Sequence, residues 1–504
     1  SYQDIFNEGF SAGNNNYLTD AYRFYNLGAG TALNDLSPGA NRGGVFIGSY
    51  ANERTILAYF GRVIYDYKQR YLLNLSIRRE GASVLGTENK WGNFPGVSAG
   101  WILSKEDFLA GSSAIKLLKL RAGYGVTGNQ ESLSPYQSLA TIGPFYGGTQ
   151  NGYVGTPDEG SFILPYGPTI NANPLLEWET KSETNIGVDF SLLKDGWLSG
   201  SLDLYKRTIK HLVGNYSAQL PSEIFPTIFA NAGTMKNKGI ELLVNAKVIS
   251  RKNFNWNLTF TGAYNKNEII SVSSNQFFGT AHNITRVTEG VSIQRLAPGE
   301  PVAVFYGPVF ADFTEDGNWL FKNKEGKAVS PSEITGDDYA YLGNSIPKYS
   351  YGLTNSFGFG HFDATFLIKG AAGVHAVNGK RIFHENWTYY DRGNLFVSAL
   401  NQKITDPPTF SSYYIENGAY VKLDNITVGY TIPVKSNYFK NIHVYFTGAN
   451  LVTITDFSGT DPELQINYFP QDPNQETDEG PGLEPNYIYY PSSRVYTFGV
   501  NINF

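Results

Sequence analysis

The 504-residue sequence predicts an all-β fold, a transmembrane antiparallel β-barrel crossed by about thirteen strands, with long connectors on one side and short turns on the other. Three observations predict it: composition, period-two alternation, and connector lengths that alternate in phase. The chain carries 35 Tyr, 33 Phe and 7 Trp, 15% of its residues, together with 54 Gly, a mixture that suits strands bounded by aromatic belts. No apolar run reaches the ~18 residues of a membrane-spanning helix, whereas a barrel strand needs only about 10 alternating residues.

Alternation recurs along the whole chain. Over 118–127, Leu118, Leu120, Ala122, Tyr124 and Val126 oppose Lys119, Arg121, Gly123, Gly125 and Thr127. Over 183–192, Thr184, Ile186, Val188, Phe190 and Leu192 oppose Glu183, Asn185, Gly187, Asp189 and Ser191. The segments 239–248 and 254–264 repeat the pattern. At the end of the sequence Tyr496, Phe498, Val500, Ile502 and Phe504 form one apolar face that stops on an aromatic, as barrel-closing strands do.

With Phe504 set at a periplasmic rim, the connectors sort by length. The long ones, 455–492, 371–419, 271–346, 213–232, 128–176 and 81–94, fall on the extracellular side. The short ones, 433–440, 358–361, 251–253, 194–196, 104–114 and 66–69, fall on the periplasmic side. Counting 302–313 as a crossing would reverse every earlier connector, so it is assigned to an extracellular loop. The first strand is then placed at about 54–65, and the odd count means that the chain enters from outside. Bacterial barrels have even strand numbers, so the beginning of the barrel is expected to lie elsewhere; about nine strands would complete the 22 of a plugged transporter. The opening residues show no signal peptide.

Several function classes are excluded. Cysteine is absent, which removes disulfides and thiolate metal sites. A net charge of −6 gives no basic field for nucleic acid. Gly96-Val97-Ser98-Ala99-Gly100 has the spacing of a hydrolase elbow but lies inside an alternating strand, where the required strand-to-helix turn cannot form. Asp312-x-Thr314-x-Asp316-Gly317 fits a calcium loop poorly, with Thr at its third position and Asn323 at its twelfth. Six scattered histidines lack metal spacing, so no catalytic residue, metal site or cofactor is expected. Residues 441–493 hold eight carboxylates and no Lys or Arg, which reads as a solvated loop, with divalent-ion binding as the minor alternative. Trp387, Tyr389, Tyr390 and Asp391, with Trp319 as a weaker candidate, are the expected ligand contacts, since aromatic faces beside polar groups stack on sugars or hold peptide side chains.

The segments FGRVIYDYKQRYLLNLSIRREGAS, WGNFPGVSAGW, KLRAGYGVTGNQ, NPLLEWETKSETNIGVDF, NKGIELLVNAKV, ENGAYVKLDNITVGYTIP and FTGANLVTITDFSGTDPE together resemble the SusC and RagA family of TonB-dependent outer-membrane transporters. The resemblance covers nearly the whole chain. It departs from the family at 311–342, where ADFTEDGNWLFKNKEGKA replaces an Asp-rich loop, and at 78–83, where Arg-Arg-Glu-Gly-Ala-Ser stands for Arg-x-Asp-Gly-Ser-Ser. It implies the C-terminal portion of a 22-stranded barrel in the bacterial outer membrane, in contact with lipid or lipopolysaccharide (LPS). It also implies an N-terminal plug and TonB-contacting segment outside this sequence, a SusD-like surface lipoprotein as a lid, and oligosaccharide or peptide cargo. A passive porin or a barrel co-opted into another surface machine would keep the same strands, and a soluble β-sandwich lectin or glycanase would also alternate. The sandwich differs in one testable way: Leu120, Val188 and Phe498 would then lie in a packed core.

Overall fold

The computed structural model describes residues 1–13, 46–144, 152–154, 161–163, 166–193, 196–218, 224–225, 227–272, 293–391, 393–402, 404–434, 438–464 and 492–503. Fourteen strands form one antiparallel sheet in which chain order equals spatial order. They are β1 (Tyr2–Gly13), β2 (Phe46–Tyr67), β3 (Tyr71–Ala82), β4 (Trp91–Ile102), β5 (Ile115–Asn129), β6 (Glu179–Leu192) and β7 (Leu198–Lys210). The sheet continues with β8 (Thr234–Arg251), β9 (Phe254–Ser271), β10 (Tyr349–Phe359), β11 (Phe362–Ala372), β12 (Tyr420–Ile432), β13 (Asn441–Thr455) and β14 (Val495–Asn503). Adjacent strands are antiparallel, so side-chain parity carries across the sheet except at local register shifts such as Lys247/Ile249 and Leu423/Asn425.

That parity separates two chemistries. One face runs from Trp101 to Leu120, Val188, Leu202 and Leu242 through directly opposed pairs. It continues on β12 to β14 as Val428, Phe446 and Phe498. Its apolar side chains have no protein to pack against: Ile186 is 57% and Phe498 72% exposed. Such a surface is stable only against hydrocarbon. Leu120, Val188 and Phe498 therefore do not lie in a protein core. The opposite face carries Lys119, Arg121, Asp189, Asp203 and Glu183 among glycines and hydroxyls, and the clefts of about 430, 550 and 350 Å³ along the sheet are lined largely by it.

Aromatic rings bound the apolar face at both ends. At the short-turn end Tyr65, Tyr67, Tyr71 and Trp101 follow one another at centroid spacings of 6.5, 6.3 and 6.2 Å. At the long-connector end Tyr59 stacks on Trp91, and Tyr264 packs at a tilt against Tyr349. From Tyr59 to Tyr67 a strand advances about 27 Å, which at a tilt of about 35–45° projects to roughly 19–22 Å, so the two belts bracket most of an apolar band ~25 Å tall.

Two expectations need correction. Among the described residues the sheet has fourteen strands where about thirteen were expected, because β1 pairs with a β2 that starts well before residue 54. Among those residues the count is therefore even; β1 runs away from the short-turn end, from Tyr2 opposite Leu57 to Gly13 opposite Phe46, and so lines only the outer part of β2. β1 escapes pattern reading because Asp4 and Glu8 share a face with Tyr2, Phe6 and Phe10, which breaks the alternation. The assignment of 302–313 to a connector holds: Val304–Gly307 and Val309–Phe313 belong to two small sheets separate from the wall. Tyr496, Val500 and Ile502 are exposed on β14 beside Phe498, whereas Phe504 lies outside the described residues.

Candidate functional site

The long connectors fold into two platforms. In the first, residues from 83–94, Leu133 and 176–178 cluster around Leu85, Leu176 and Trp178, all buried. Asn171 ties this cluster to the connector after β7, donating to the Phe225 and Thr227 carbonyls at 2.8 Å each.

The second platform joins the connector between β9 and β10 to the one between β11 and β12. Phe305, Trp319 and Phe321 from the first, and Val377, Ile382, Phe410 and Tyr414 from the second, form one buried cluster. Trp319 is 1% exposed, surrounded by Phe310, Phe313, Phe321 and Tyr413, and its indole N–H donates to the Pro407 carbonyl at 3.0 Å. The expectation that Trp319 contacts ligand is thus corrected: the ring is the centre of a core and offers no face. The Asp312-x-Thr314-x-Asp316 run is the turn of a hairpin between Val309–Phe313 and Trp319–Lys322, with the Asn318 amide donating to Thr314 Oγ1.

Polar groups clamp the platform to the wall. Asn378 caps the one-turn helix α1 (Gly379–His384), accepting from the Arg381 amide at 3.1 Å. The Arg381 guanidinium lies over the Tyr413 ring, 4.5 Å from its centroid, and pairs with Glu385 at 2.9 Å and Glu416 at 3.0 Å. Glu416 accepts from the Ser458 amide and hydroxyl, fastening the segment after β13. Next to it Lys422 pairs with Asp461 at 2.7 Å and Glu463 at 2.9 Å, while Lys369 pairs with Glu463 at 3.0 Å and Asp424 at 2.8 Å. Burial alone would raise the Asp461 carboxyl, but hydrogen bonds from Lys422, the Glu463 amide and Ser492 hold it below the ordinary carboxylate range. Asp461 and Glu463 of the 441–493 stretch therefore face lysines of β11 and β12; Asp472, Asp478 and Glu479 lie outside the described residues.

The four remaining candidates sit on this platform. Trp387 is half-buried, its N–H donating to the Ala399 carbonyl at 2.7 Å, and Tyr389 packs edge-on against Phe383. Tyr390 is 67% exposed beside Trp387, and Asp391 is exposed next to it. Sequence reading missed Phe396, Val397 and Leu400, which extend this edge as exposed apolar side chains, Val397 at 78%. Their lack of periodicity left no sequence signal. Ser98 points with Asn74 and Gly123 on the charged face, inside β4. Among the described residues the histidines are dispersed, His211 against Glu177 and His443 against Asp363.

On the charged face Arg121 bridges Asp189 and Asp203 at 2.8 and 3.0 Å, Lys119 approaches Asp189 at 3.8 Å, and Arg207 meets Glu183 at 2.8 Å. Opposite signs sit on neighbouring strands, so the wall is polar with little net local field.

Comparison with known proteins agrees with this architecture. TonB-dependent receptor P3 of Formosa agariphila is 29% identical over the whole of this chain and half of its own length. TonB-dependent receptor SusC of Bacteroides thetaiotaomicron is 26% identical over 90% of this chain and 44% of its own length. The chain thus spans about half the length of the curated relatives it matches. The solved structure described as the RagAB peptide transporter superposes with a TM-score of 0.78 at 22% identity, covering all of this chain and 52% of that one. The family model described as TonB dependent receptor-like, beta-barrel, matches residues 2–451. With one face fit for hydrocarbon, the other charged, and this match along most of its length, the chain belongs to the TonB-dependent receptor-like β-barrel family of the bacterial outer membrane.

Proposed function

We propose that this chain is the wall and outer capture surface of an importer for oligomeric nutrients, glycans or peptides, as the SusC-like member of a complex with a SusD-like lipoprotein lid. The family is one of receptors and transporters and not of enzymes. The observation that carries the cargo class is the pairing of opposite charges along the inner face, which presents hydrogen-bonding groups to a passing oligomer without a strong field of either sign. The edge formed by Tyr390, Asp391, Phe396, Val397 and Leu400 supplies exposed rings and aliphatic groups for the first contact with cargo or lid. In this reading a plug and a TonB-contacting segment belong to the whole protein, and about eight further strands complete a 22-stranded barrel. The likeness to the RagAB peptide transporter favours peptides as the first cargo to test.

The test is uptake by cells expressing the full-length protein as their sole copy. Labelled peptide and oligosaccharide mixtures should be imported only when TonB is present, and Tyr390→Ala with Val397→Ser should lower uptake at limiting cargo about tenfold with normal surface abundance. Uptake that persists after TonB deletion would replace the importer with a passive porin.

A further inference from the structure

The lipid-facing side of the wall carries a row of like charges. Lys206 on β7 stands directly opposite Lys238 on β8, and Lys238 directly opposite Lys266 on β9. All three are exposed. Directly opposed side chains in an antiparallel sheet have Cβ atoms only about 4.5–5.5 Å apart, and like charges so placed repel. The register cannot slip to relieve this, because Leu204, Ile240 and Tyr264, two positions along each strand, are locked to the apolar face. Farther out, Lys236 continues the same face of β8 opposite Glu268. Glu268 lies 3.6 Å from Lys266, and among the described residues Lys206 and Lys238 have no ion-pair partner. On the inner face, by contrast, Lys119, Arg121, Arg207 and Lys369 each meet a carboxylate.

Position identifies the missing counter-charge. The row lies immediately beyond the aromatic belt at the long-connector end, where Tyr264 packs at a tilt against Tyr349 with centroids 5.2 Å apart. Beyond that belt lie the headgroups of the outer leaflet. We propose that Lys206, Lys238 and Lys266 form a docking site for the phosphate groups of a phosphorylated outer-leaflet lipid, whose acyl chains cover Leu204, Ile240 and the neighbouring apolar face. Its negative charge removes the mutual repulsion of the lysines, and the lysines in turn hold the lipid against this sector of the wall. The site rests on the membrane embedding of the sheet and is independent of the cargo.

The experiment uses the full-length protein, delipidated in neutral detergent, with bisphosphorylated lipid A or its dephosphorylated counterpart added in mixed micelles and bound lipid counted by native mass spectrometry. The bisphosphorylated form should bind about tenfold more tightly. Lys206→Gln with Lys238→Gln should abolish the preference, Lys238→Arg should keep it, and Lys68→Gln at the short-turn end should leave it unchanged. Equal binding of the two lipids to the unaltered protein, or a preference that survives the double substitution, would overturn the proposal. Competition by inorganic phosphate at the same concentration would overturn the lipid as its source. Thermal unfolding supplies a second readout: the double variant should melt above the unaltered protein in neutral detergent and below it with bisphosphorylated lipid. A variant that melts lower in both has lost structural support only, and the proposal fails.

Discussion

Lys422 and Asp461 show how single side chains tie a surface segment to a membrane wall. Their side chains are 5% and 8% exposed, and Glu463, Lys369 and Ser492 complete the network. Such a pair adds little over an apolar replacement of both partners, but removing one partner strands the other charge. Lys422→Met is therefore expected to open the segment 456–464 at a cost of about 3–5 kcal/mol, read as increased hydrogen exchange there with the strands of the wall unaffected. The same group sets a pH dependence. The Asp461 carboxyl is depressed in the folded state, so its contribution is complete above the unfolded value of about 3.9 and is lost as pH falls through the folded value. Protection factors in 456–464, which remove the intrinsic pH dependence of exchange, should be flat from neutrality to about pH 5 and fall only below about pH 4.

Single elements obey the same logic of faces. β7 and β8 approach closely at Gly200, where an added Cβ would collide with the Leu243 carbonyl oxygen. Glycine is needed there for the contact between strands, with no special backbone angle involved. Gly200→Val should split the β7–β8 ladder around Gly200–Val244 and lower the yield of folded, heat-modifiable barrel several-fold, whereas the same change at Gly125, where a Cβ meets nothing within 4 Å, should leave it near normal. The elements hidden from sequence reading fail for stated reasons. The acids of β1 interrupt its apolar face, and the short strands inside the connectors are too brief to show a period.

For the molecule as a whole, the decisive property is that neighbouring residues of one strand meet different solvents. Ile186 lies between Ala122 and Leu204 on the lipid side, and Asn185 lines the inner face. Ile186→Lys should destabilise the folded protein by about 2–4 kcal/mol in bilayers, measured by urea unfolding, while Asn185→Lys should cost less than about 1 kcal/mol. Similar costs at both positions would be incompatible with a wall between lipid and water.

The sequence by itself determined the alternation of faces, the phase of short and long connectors and the placement of 302–313 in a loop, because strand parity and turn length are local properties written every second residue. It offered Tyr390 and Asp391 as candidate ligand contacts, and gave no signal for the exposed Phe396, Val397 and Leu400 beside them. Only the tertiary structure decided that Trp319 is core and that Asp461 and Glu463 are held by Lys369 and Lys422. The alignment of Lys206, Lys238 and Lys266 in one row was likewise decided only there. Those facts depend on which distant segments meet, and a residue's period says which face it takes but not what it faces.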